Sequence, residues 1–241
     1  MKPGVVLLAG FALVAAGPGP HKVVRDTPSL EFRYEWPSEA VAVPALDRRF
    51  YTEAKKALAE AQANAKDDQQ LAKEQKRDFN GHYYAMQWTT AGQSPRLLSL
   101  QGGLGTFEGG AHPNSVYLAL LWDRSLKREI GIDSLFRRPA DFAALLRAPY
   151  CKALDKERTK RREGFKMDLP DFNACPKFSE LAIAPADGDG DGLFDSIDFV
   201  ASPYTAGPYV EGEYEISLPV TPRLISALKP AYRASFKPQR Q

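Results

Sequence analysis

A short, conformationally restricted stretch lies near the middle of the 241-residue chain, at positions 107–114 with the sequence FEGGAHPN. Gly109 and Gly110 can adopt backbone angles that are closed to other residues. Pro113 fixes its own φ and restricts His112 to an extended geometry. Because the segments on both sides have the pattern of strands, this stretch predicts a sharply shaped loop between two strands.

The rest of the chain alternates between strand and helix patterns. Period-two alternation or short apolar runs predict strands at residues 30–36, 82–89, 96–100, 115–122, 179–184, 196–200 and 213–218, with a short extended piece at 41–44. Apolar residues spaced by three and four predict a long helix over residues 46–65, with a continuation to about Arg77 that is largely exposed or broken. A second helical segment covers residues 139–162, and Pro149 is expected to kink or break it. The sequence therefore predicts an α+β fold with antiparallel sheets, a long N-terminal helix and a second helical segment.

The charge balance gives no reason to expect nucleic acid or another polyanion as a partner. The chain has 32 basic and 30 acidic residues, for a net charge of +2. One basic run, residues 156–162, is interpreted as a solvated helix face.

Residues 1–20 have the pattern of an export signal. Lys2 precedes an apolar run at residues 5–16, which is too short to span a bilayer comfortably, and small residues at 14–16 could serve for cleavage. The alternative is an uncleaved N-terminal anchor. No later stretch has the length and apolarity of a membrane span, so we expect a periplasmic or secreted protein without a stable membrane span.

Cys151 and Cys175 are the two cysteines of the chain. In an oxidising compartment they are the obvious candidates for one disulfide, and the alternative is a pair of unrelated buried thiols. Metal ligation by two cysteines so far apart, with no histidine nearby, is disfavoured.

Four stretches, in order, resemble a bacterial envelope domain family. The stretch at 108–114 resembles the family's Gly-Gly-Ala-His-Pro motif, and residues 123–136 resemble its turn followed by a short L-x-D-L-F segment. Residues 203–212 resemble its P-Y-x-x-x-P-Y-x-x-G loop, and residues 32–37 with the following helix resemble its N-terminal half. The family is shared by the extracellular part of the lysozyme-sensing anti-sigma factor RsiV and the N-terminal part of the peptidoglycan deacetylase PdaC.

The resemblance implies an α+β fold and a role in the cell envelope. It does not imply catalysis, because the deacetylase chemistry of the family belongs to a separate domain whose T-F-D-D-G motif does not occur here. It divides the chain after the signal into a PdaC-like half at 21–112 and an RsiV-like half at 113–236. Residues 237–241 are expected to form a frayed tail, as chain ends commonly do. Binding of lysozyme or a glycan follows by analogy only.

The acidic loop that begins at Asp187 has the spacing of a calcium loop of the EF-hand or dockerin type. Carboxylates at loop positions 1, 3, 5, 9 and 12 and a backbone carbonyl at position 7 would supply oxygen ligands, and Gly192 at position 6 permits the turn. The candidate Ca²⁺ ligands are Asp187, Asp189, Asp191, Leu193, Asp195 and Asp198. The alternative is a Gly/Asp-rich hairpin connection without an ion, since the flanks are not helical.

Two further groups of residues are candidates for ligand binding. Glu108 and His112 could reach one another across the two glycines, as an acid–base pair or as groups that stabilise the loop, with Asn114 beside them. Tyr204 and Tyr209 could form an aromatic platform for a sugar or a protein, or could pack their loop onto the sheet.

These observations favour a non-catalytic exported envelope domain that binds a protein or a peptidoglycan-type ligand, with calcium as a candidate stabilising ion. The alternative is a hydrolase of unknown type that uses Glu108 and His112. A third interpretation is a calcium-stabilised structural module.

Overall fold

The larger of two sheets contains six strands in the order β1-β2-β3-β4-β5-β6. The computed structural model describes residues 19–164 and 169–239. The strands of this sheet are β1 (His21–Thr27), β2 (Leu30–Trp36), β3 (His82–Gln93), β4 (Leu97–Phe107), β5 (Asn114–Asp123) and β6 (Arg128–Glu129). All neighbouring strands are antiparallel except β2 and β3, which are parallel. The mixed α+β fold is as the sequence predicts, with this one parallel pair as an addition.

A long helix supplies the connection that the parallel pair requires. Helix α1 (Ser38–Val41) and helix α2 (Pro44–Glu74) lie between β2 and β3. Parallel neighbours need a crossover of a dozen or more residues, and α2 provides it. Its apolar stripe packs on one face of the sheet and forms what we call the N-terminal core, which includes Phe32, Trp36, Phe50, Met86, Trp88, Leu98, Leu100 and Leu120.

The smaller sheet has three antiparallel strands in the order β7-β8-β9. They are β7 (Ala182–Ala186), β8 (Ser196–Ala201) and β9 (Tyr214–Pro219), and β7 lies against β3, β4 and β5 of the larger sheet. Helix α3 (Ala140–Arg161) and the short helices α4 (Pro222–Ala227) and α5 (Pro230–Arg233) complete this part. The C-terminal core between them includes Leu97, Leu121, Phe136, Phe142, Tyr150, Leu154, Phe199, Tyr214, Leu224 and Phe236.

The structure corrects several local predictions. Strand β1 was not predicted. The extended piece predicted at 41–44 is instead the junction of two helices, because α1 ends at Val41 and α2 begins at Pro44. Helix α2 is unbroken to Glu74, although its second half is largely exposed. Helix α3 continues through Pro149.

Strand β4 also runs on through its glycines. At Gly102 an added Cβ would lie 2.6 Å from the Cε atom of Met86 and 3.0 Å from the Trp88 ring, so glycine lets two large core side chains approach the backbone. The strand therefore continues beyond its predicted end at residue 100, and Gly102 is buried within it.

Cys151 and Cys175 form the predicted disulfide, with a Cα–Cα distance of 5.6 Å. It joins α3 to the segment before β7. Arg147 strengthens the same junction by donating hydrogen bonds to the carbonyl oxygens of Cys175 and Pro176.

Some predictions fall outside the described residues or remain as predictions. The signal at residues 1–20 lies almost entirely outside them, as does the very end of the tail. The larger sheet has strands on both sides of position 113, and the division into halves there stays a prediction. Among the described residues, no helix has the length and apolarity that crossing a membrane requires.

Candidate functional site

Two loops that are about 90 residues apart in the sequence meet at one surface. The loop between β4 and β5 carries His112, and the loop between β8 and β9 carries Tyr204 and Tyr209. The His112 and Tyr209 rings stack with centroids 3.7 Å apart and an interplanar angle of 18°. The Tyr204 hydroxyl lies 3.3 Å from His112 Nε2. We call His112, Tyr204 and Tyr209 the aromatic cluster.

Backbone conformation positions His112 for these contacts. Gly109 and Gly110 have φ values of 91° and 102°, a region that favours glycine, so the chain turns sharply after β4. His112 Nδ1 lies 2.9 Å from the carbonyl oxygen of Pro113. Since a carbonyl only accepts, Nδ1 carries the hydrogen, and Nε2 of the neutral ring is then free to accept from Tyr204. The expected loop geometry is therefore present.

The outer part of the aromatic cluster faces solvent. Tyr204 is 53% exposed and has a positive φ of 69°, which is uncommon for a residue with a side chain. Val210, next to Tyr209, is 89% exposed. Tyr204 and Tyr209 contact His112 and each other, with centroids 5.8 Å apart. Exposed aromatic and apolar groups on a constrained loop are typical of a surface that contacts another molecule.

Two arginines at the end of α3 hold the loop between β8 and β9, which we call the tyrosine loop. Arg158 is only 4% exposed, and it donates to the carbonyl oxygens of Ala206, Asn173 and Ala174 at 2.9 to 3.1 Å. Arg162 forms a bidentate pair with Glu211, with distances of 2.8 and 2.9 Å. The interpretation of this basic run as a solvated face was therefore wrong for these two arginines. Their spacing of four residues, which places both on one helix face, was the available signal.

Burial and the Arg162–Glu211 ion pair shift the pKa values of the groups beneath the aromatic cluster. Burial alone would raise the pKa of Glu211, but hydrogen bonds from Arg162 and Tyr214 and the nearby positive charges hold it below its usual value. Burial, followed by the hydrogen bond to Glu211, raises the pKa of Tyr214 to about 12. Glu211 is therefore ionised and Tyr214 is protonated at neutral pH, which fixes the hydrogen bonds that hold this loop.

Glu108 and Asn114 lie on the other side of the glycine turn. Both are exposed, and Asn114 is the first residue of β5. Glu108 accepts a hydrogen bond from Asn64 of α2 at 3.4 Å. In the described structure no hydrogen bond joins Glu108 to His112, whose two ring nitrogens contact Pro113 and Tyr204.

The acidic loop brings together part of its predicted ligand set. Asp187, Asp189 and Asp191 offer carboxylate oxygens within 4.8 Å of one another. Asp195 instead accepts from the Gly188 N–H, and Asp198 accepts from the hydroxyls of Ser196 and Ser217. Leu193 N–H binds Asp191. The arrangement fits a cation at three of the six predicted positions.

A lysine from the C-terminal segment already contacts these carboxylates. Lys237 Nζ lies 2.6 Å from oxygens of both Asp189 and Asp191. The hydrogen bond from Lys237 lowers the pKa of Asp189, and the two carboxylates raise the pKa of Lys237. Because Lys237 is 46 to 48 residues away in the sequence, the spacing of the loop gave no sign of it.

The fold defines an α+β domain in which a six-stranded sheet with a crossover helix packs beside a three-stranded sheet. The family model described as deacetylase PdaC matches residues 23–115. Residues 23–115 are therefore similar to that family. No curated protein matches the chain.

Two solved structures share the fold over most of the chain. A DUF3298 family protein from Pseudomonas aeruginosa is 17% identical, with a TM-score of 0.52, and the match covers 95% of this chain and 100% of that one. A member of the DUF3298 family from Bacteroides fragilis is 14% identical, with a TM-score of 0.50, and the match covers 90% and 96%.

Proposed function

We propose that this chain is a non-catalytic, exported envelope domain that binds a protein or a peptidoglycan-type ligand through its aromatic cluster. The convergence of the two family-like loops into one half-exposed cluster carries the proposal. Specific contacts hold this cluster in place although it lies at the surface and not in the core. They come from the loop between β4 and β5, the tyrosine loop and the arginines of α3. Stiff, amphipathic tyrosines on such a surface suit recognition of sugars and proteins.

Two further features support export. The disulfide joins the only two cysteines of the chain, and disulfides persist in oxidising compartments such as the periplasm. The N-terminal residues have the pattern of a signal, and the family resemblance places related domains in the envelope. Detection of the processed chain in a periplasmic or culture fraction tests this part, and retention of the intact chain in the cytoplasm contradicts it.

A matched pair of tyrosines tests the binding surface. Tyr204 is 53% exposed, and Tyr51 on α2 is 54% exposed but remote from the aromatic cluster in sequence and element. The chain would be immobilised and exposed to soluble peptidoglycan fragments and, separately, to an envelope extract. We expect the wild type to capture a ligand that the Tyr51→Ala variant also captures and the Tyr204→Ala variant does not. Equal retention by both variants would refute the assignment of the surface.

The hydrolase alternative rests on Glu108 and His112 and has its own test. A variant His112→Ala that folds normally would abolish a measurable hydrolytic activity if the alternative is right. Since His112 already bonds Tyr204 and Pro113, we assign it to the binding surface instead. Loss of hydrolysis of a cell-wall substrate in this variant, with unchanged unfolding, would reverse that assignment.

Calcium is proposed as a stabilising ion of the acidic loop. Asp187, Asp189 and Asp191 would hold it, because carboxylate oxygens are the ligands that Ca²⁺ prefers. The ion would compete with the Lys237 ammonium for two of the three carboxylates. Isothermal titration after chelation tests it, and no heat at millimolar Ca²⁺ removes the proposal.

A further inference from the structure

The free edge of β5 carries backbone groups that no other strand uses. Alternate residues of an antiparallel strand bond to one neighbour and the others point away. The Tyr117 N–H donates to the Ser202 hydroxyl, and the Leu121 carbonyl accepts from Ile130, so the odd-numbered residues point outward. Strand β6 pairs with β5 only at Trp122 and Asp123. In the described part of the chain, no hydrogen bond reaches the outward groups of Ser115 or Ala119.

This edge lacks the features that usually protect an edge strand. Strand β1, at the opposite edge of the same sheet, carries Lys22, Arg25 and Asp26, and charges of this kind oppose pairing with another strand. Residues 115–121 of β5 contain no charged residue. Pro185, which cannot donate a hydrogen bond, sits in the edge strand β7. The β5 edge is therefore exceptional among these edges in being both open and uncharged.

A groove of about 640 Å³ runs along this edge. One wall is formed by consecutive residues 115–119 of β5. The other is formed by residues 178–183, which comprise a 3-10 helical turn (Phe178–Glu180), Leu181 and the first two residues of β7. Pro203 and Thr205 line one side of it, so the groove borders the loop that carries Tyr204. Val116 and Leu118 are 45% and 39% exposed there. The wall formed by β5 is an extended edge strand with apolar side chains, and an extended segment could add to it along the groove.

The charge of the groove selects the chemistry of its occupant. Among the described residues that line it, Glu180 is the only charged one. Glu213 and Glu215 do not line the groove but lie near Tyr117, where burial and then these carboxylates raise the pKa of the tyrosine. The groove therefore favours a basic partner.

We propose that the β5 edge binds an extended, basic peptide segment of a partner protein by strand addition. The segment would bond to the outward backbone groups of Ser115 and Ala119 and place lysine or arginine side chains toward Glu180. The inference goes beyond the proposed recognition function and does not depend on it, because it assigns a second contact surface, the β5 edge. It names contacts that do not include the aromatic cluster.

The probe is a seven-residue peptide that alternates valine and lysine, titrated into the full-length ¹⁵N-labelled protein. We expect saturable amide shifts at residues 115–121 and 179–183. A second peptide has the same sequence, with methyl groups on the alternate backbone nitrogens that would face β5. Since loss of one well-formed hydrogen bond costs up to about tenfold in affinity, it should bind at least several-fold more weakly. A peptide that alternates valine and glutamate should not bind.

Variants of the protein give a matched comparison. Ala119→Pro removes one outward donor without touching the β4 ladder, whereas Ala119→Val keeps the donor. We expect only the proline variant to lose the peptide. Glu180→Gln should weaken the binding of the peptide that alternates valine and lysine, and should reduce the salt dependence of that binding.

The outcomes separate this inference from the proposed function. Peptide binding that survives Tyr204→Ala supports strand addition even if no envelope ligand is found. Absence of shifts along β5 at millimolar peptide, or equal binding of the methylated peptide, overturns it. A dimer that pairs β5 with β5 of a second copy also overturns it, because the edge would then serve self-association.

Discussion

Arg162 and Glu211 form the residue-scale contact on which the tyrosine loop depends most directly. Their side chains are 8% and 9% exposed, so water screens the pair poorly. Removing one partner from such a pair leaves the other buried without compensation, which is costly. Tyr214 donates to the same carboxylate at 2.5 Å, so the pair is part of a small network.

The first prediction concerns acid. The pKa of Glu211 is lowered in the folded state, so its contribution to stability is complete above its ordinary value near 4.5 and is lost as the pH falls through the lower folded value. Glu211→Gln should reduce the free energy of unfolding by about 2 kcal/mol at pH 7. This difference between variant and wild type should disappear toward pH 3, where Glu211 becomes protonated. Urea unfolding at both pH values measures it.

The control for this prediction is Glu215→Gln, which changes an exposed carboxylate on the neighbouring strand. Its unfolding free energy should follow that of the wild type across the range. A gap for Glu211→Gln that does not change with pH would show that the charge of Glu211 is not what stabilises the loop.

At this scale the sequence pointed to His112, Tyr204 and Tyr209 as candidates but not to the contacts between them. The glycine pair and Pro113 restrict the backbone locally, so the shape of the His112 loop could be predicted. The stack of His112 on Tyr209 depends on two loops meeting, and local spacing carries no information about that. Lys237 and Arg158 were missed for the same reason, since their partners lie far away in sequence.

Helix α3 shows at the scale of an element how packing overrides a local preference. Proline at position 149 removes the backbone bond to Leu145 and disfavours helix, yet the helix is continuous. Phe142, Leu146 and Tyr150 on its inner face are buried in the C-terminal core. Burial of these side chains stabilises the helix on both sides of the proline by more than the proline destabilises it.

The second prediction is that Pro149→Ala stabilises the protein. Alanine restores the missing backbone hydrogen bond at an exposed position, and the gain is reduced by the greater freedom of the unfolded chain, so we expect about 2 kcal/mol. Chemical denaturation measures it. Pro222→Ala is the control, because proline is well tolerated at the first position of α4 and little change is expected. A loss of stability in Pro149→Ala would mean that the helix depends on a bend there.

The third prediction concerns the disulfide. Replacing Cys151 and Cys175 by serine should lower the free energy of unfolding by about 3 kcal/mol, because the bridge closes a 24-residue loop in the unfolded chain. Urea unfolding with and without reductant measures it. Reductant should lower the stability of the wild type to that of the variant and leave the variant unchanged; an effect on the variant would point to a cause other than the bridge.

Elements were predicted from periodicity where one face is buried, as in β2 and β9, whose burial alternates residue by residue. The exposed strand β1 was missed because it buries no apolar face. Strand β4 was cut short because glycine usually weakens a strand, whereas here Gly102 accommodates Met86 and Trp88.

The two cores organise the molecule as a whole. The N-terminal core draws its buried residues from Leu30 to Trp122, and the C-terminal core draws its own from Leu97 to Phe236. Sequence patterns predicted the α+β class, but not the parallel pairing of β2 with β3. That pairing joins segments separated by α2, and alternation within a strand does not specify its neighbour.

The fourth prediction tests calcium through the tie between the C-terminal segment and the acidic loop. If Ca²⁺ binds Asp187, Asp189 and Asp191, a concentration ten times Kd should add about 1.4 kcal/mol, or about 4 °C in Tm. Lys237→Met should respond at lower Ca²⁺, because the competing ammonium is gone. Thermal scans after chelation and re-addition measure both.

Asp198→Asn is the matched control for this prediction, since that carboxylate bonds to serine hydroxyls rather than to the loop, and its response should equal that of the wild type. Asp189→Asn should lose the response. If the Tm of Lys237→Met did not change when Ca²⁺ is added, a calcium site in this loop would be excluded.

The order of the two cores along the chain has a consequence for synthesis. A chain that emerges from its N-terminus can complete the N-terminal core once Trp122 is available, while more than a hundred residues are still missing. Until those residues arrive, Leu97 and Leu121, whose side chains belong to the C-terminal core, have no cover. A nascent chain at this stage would expose these two leucines to other molecules, and the later segments up to Phe236 bury them in the C-terminal core.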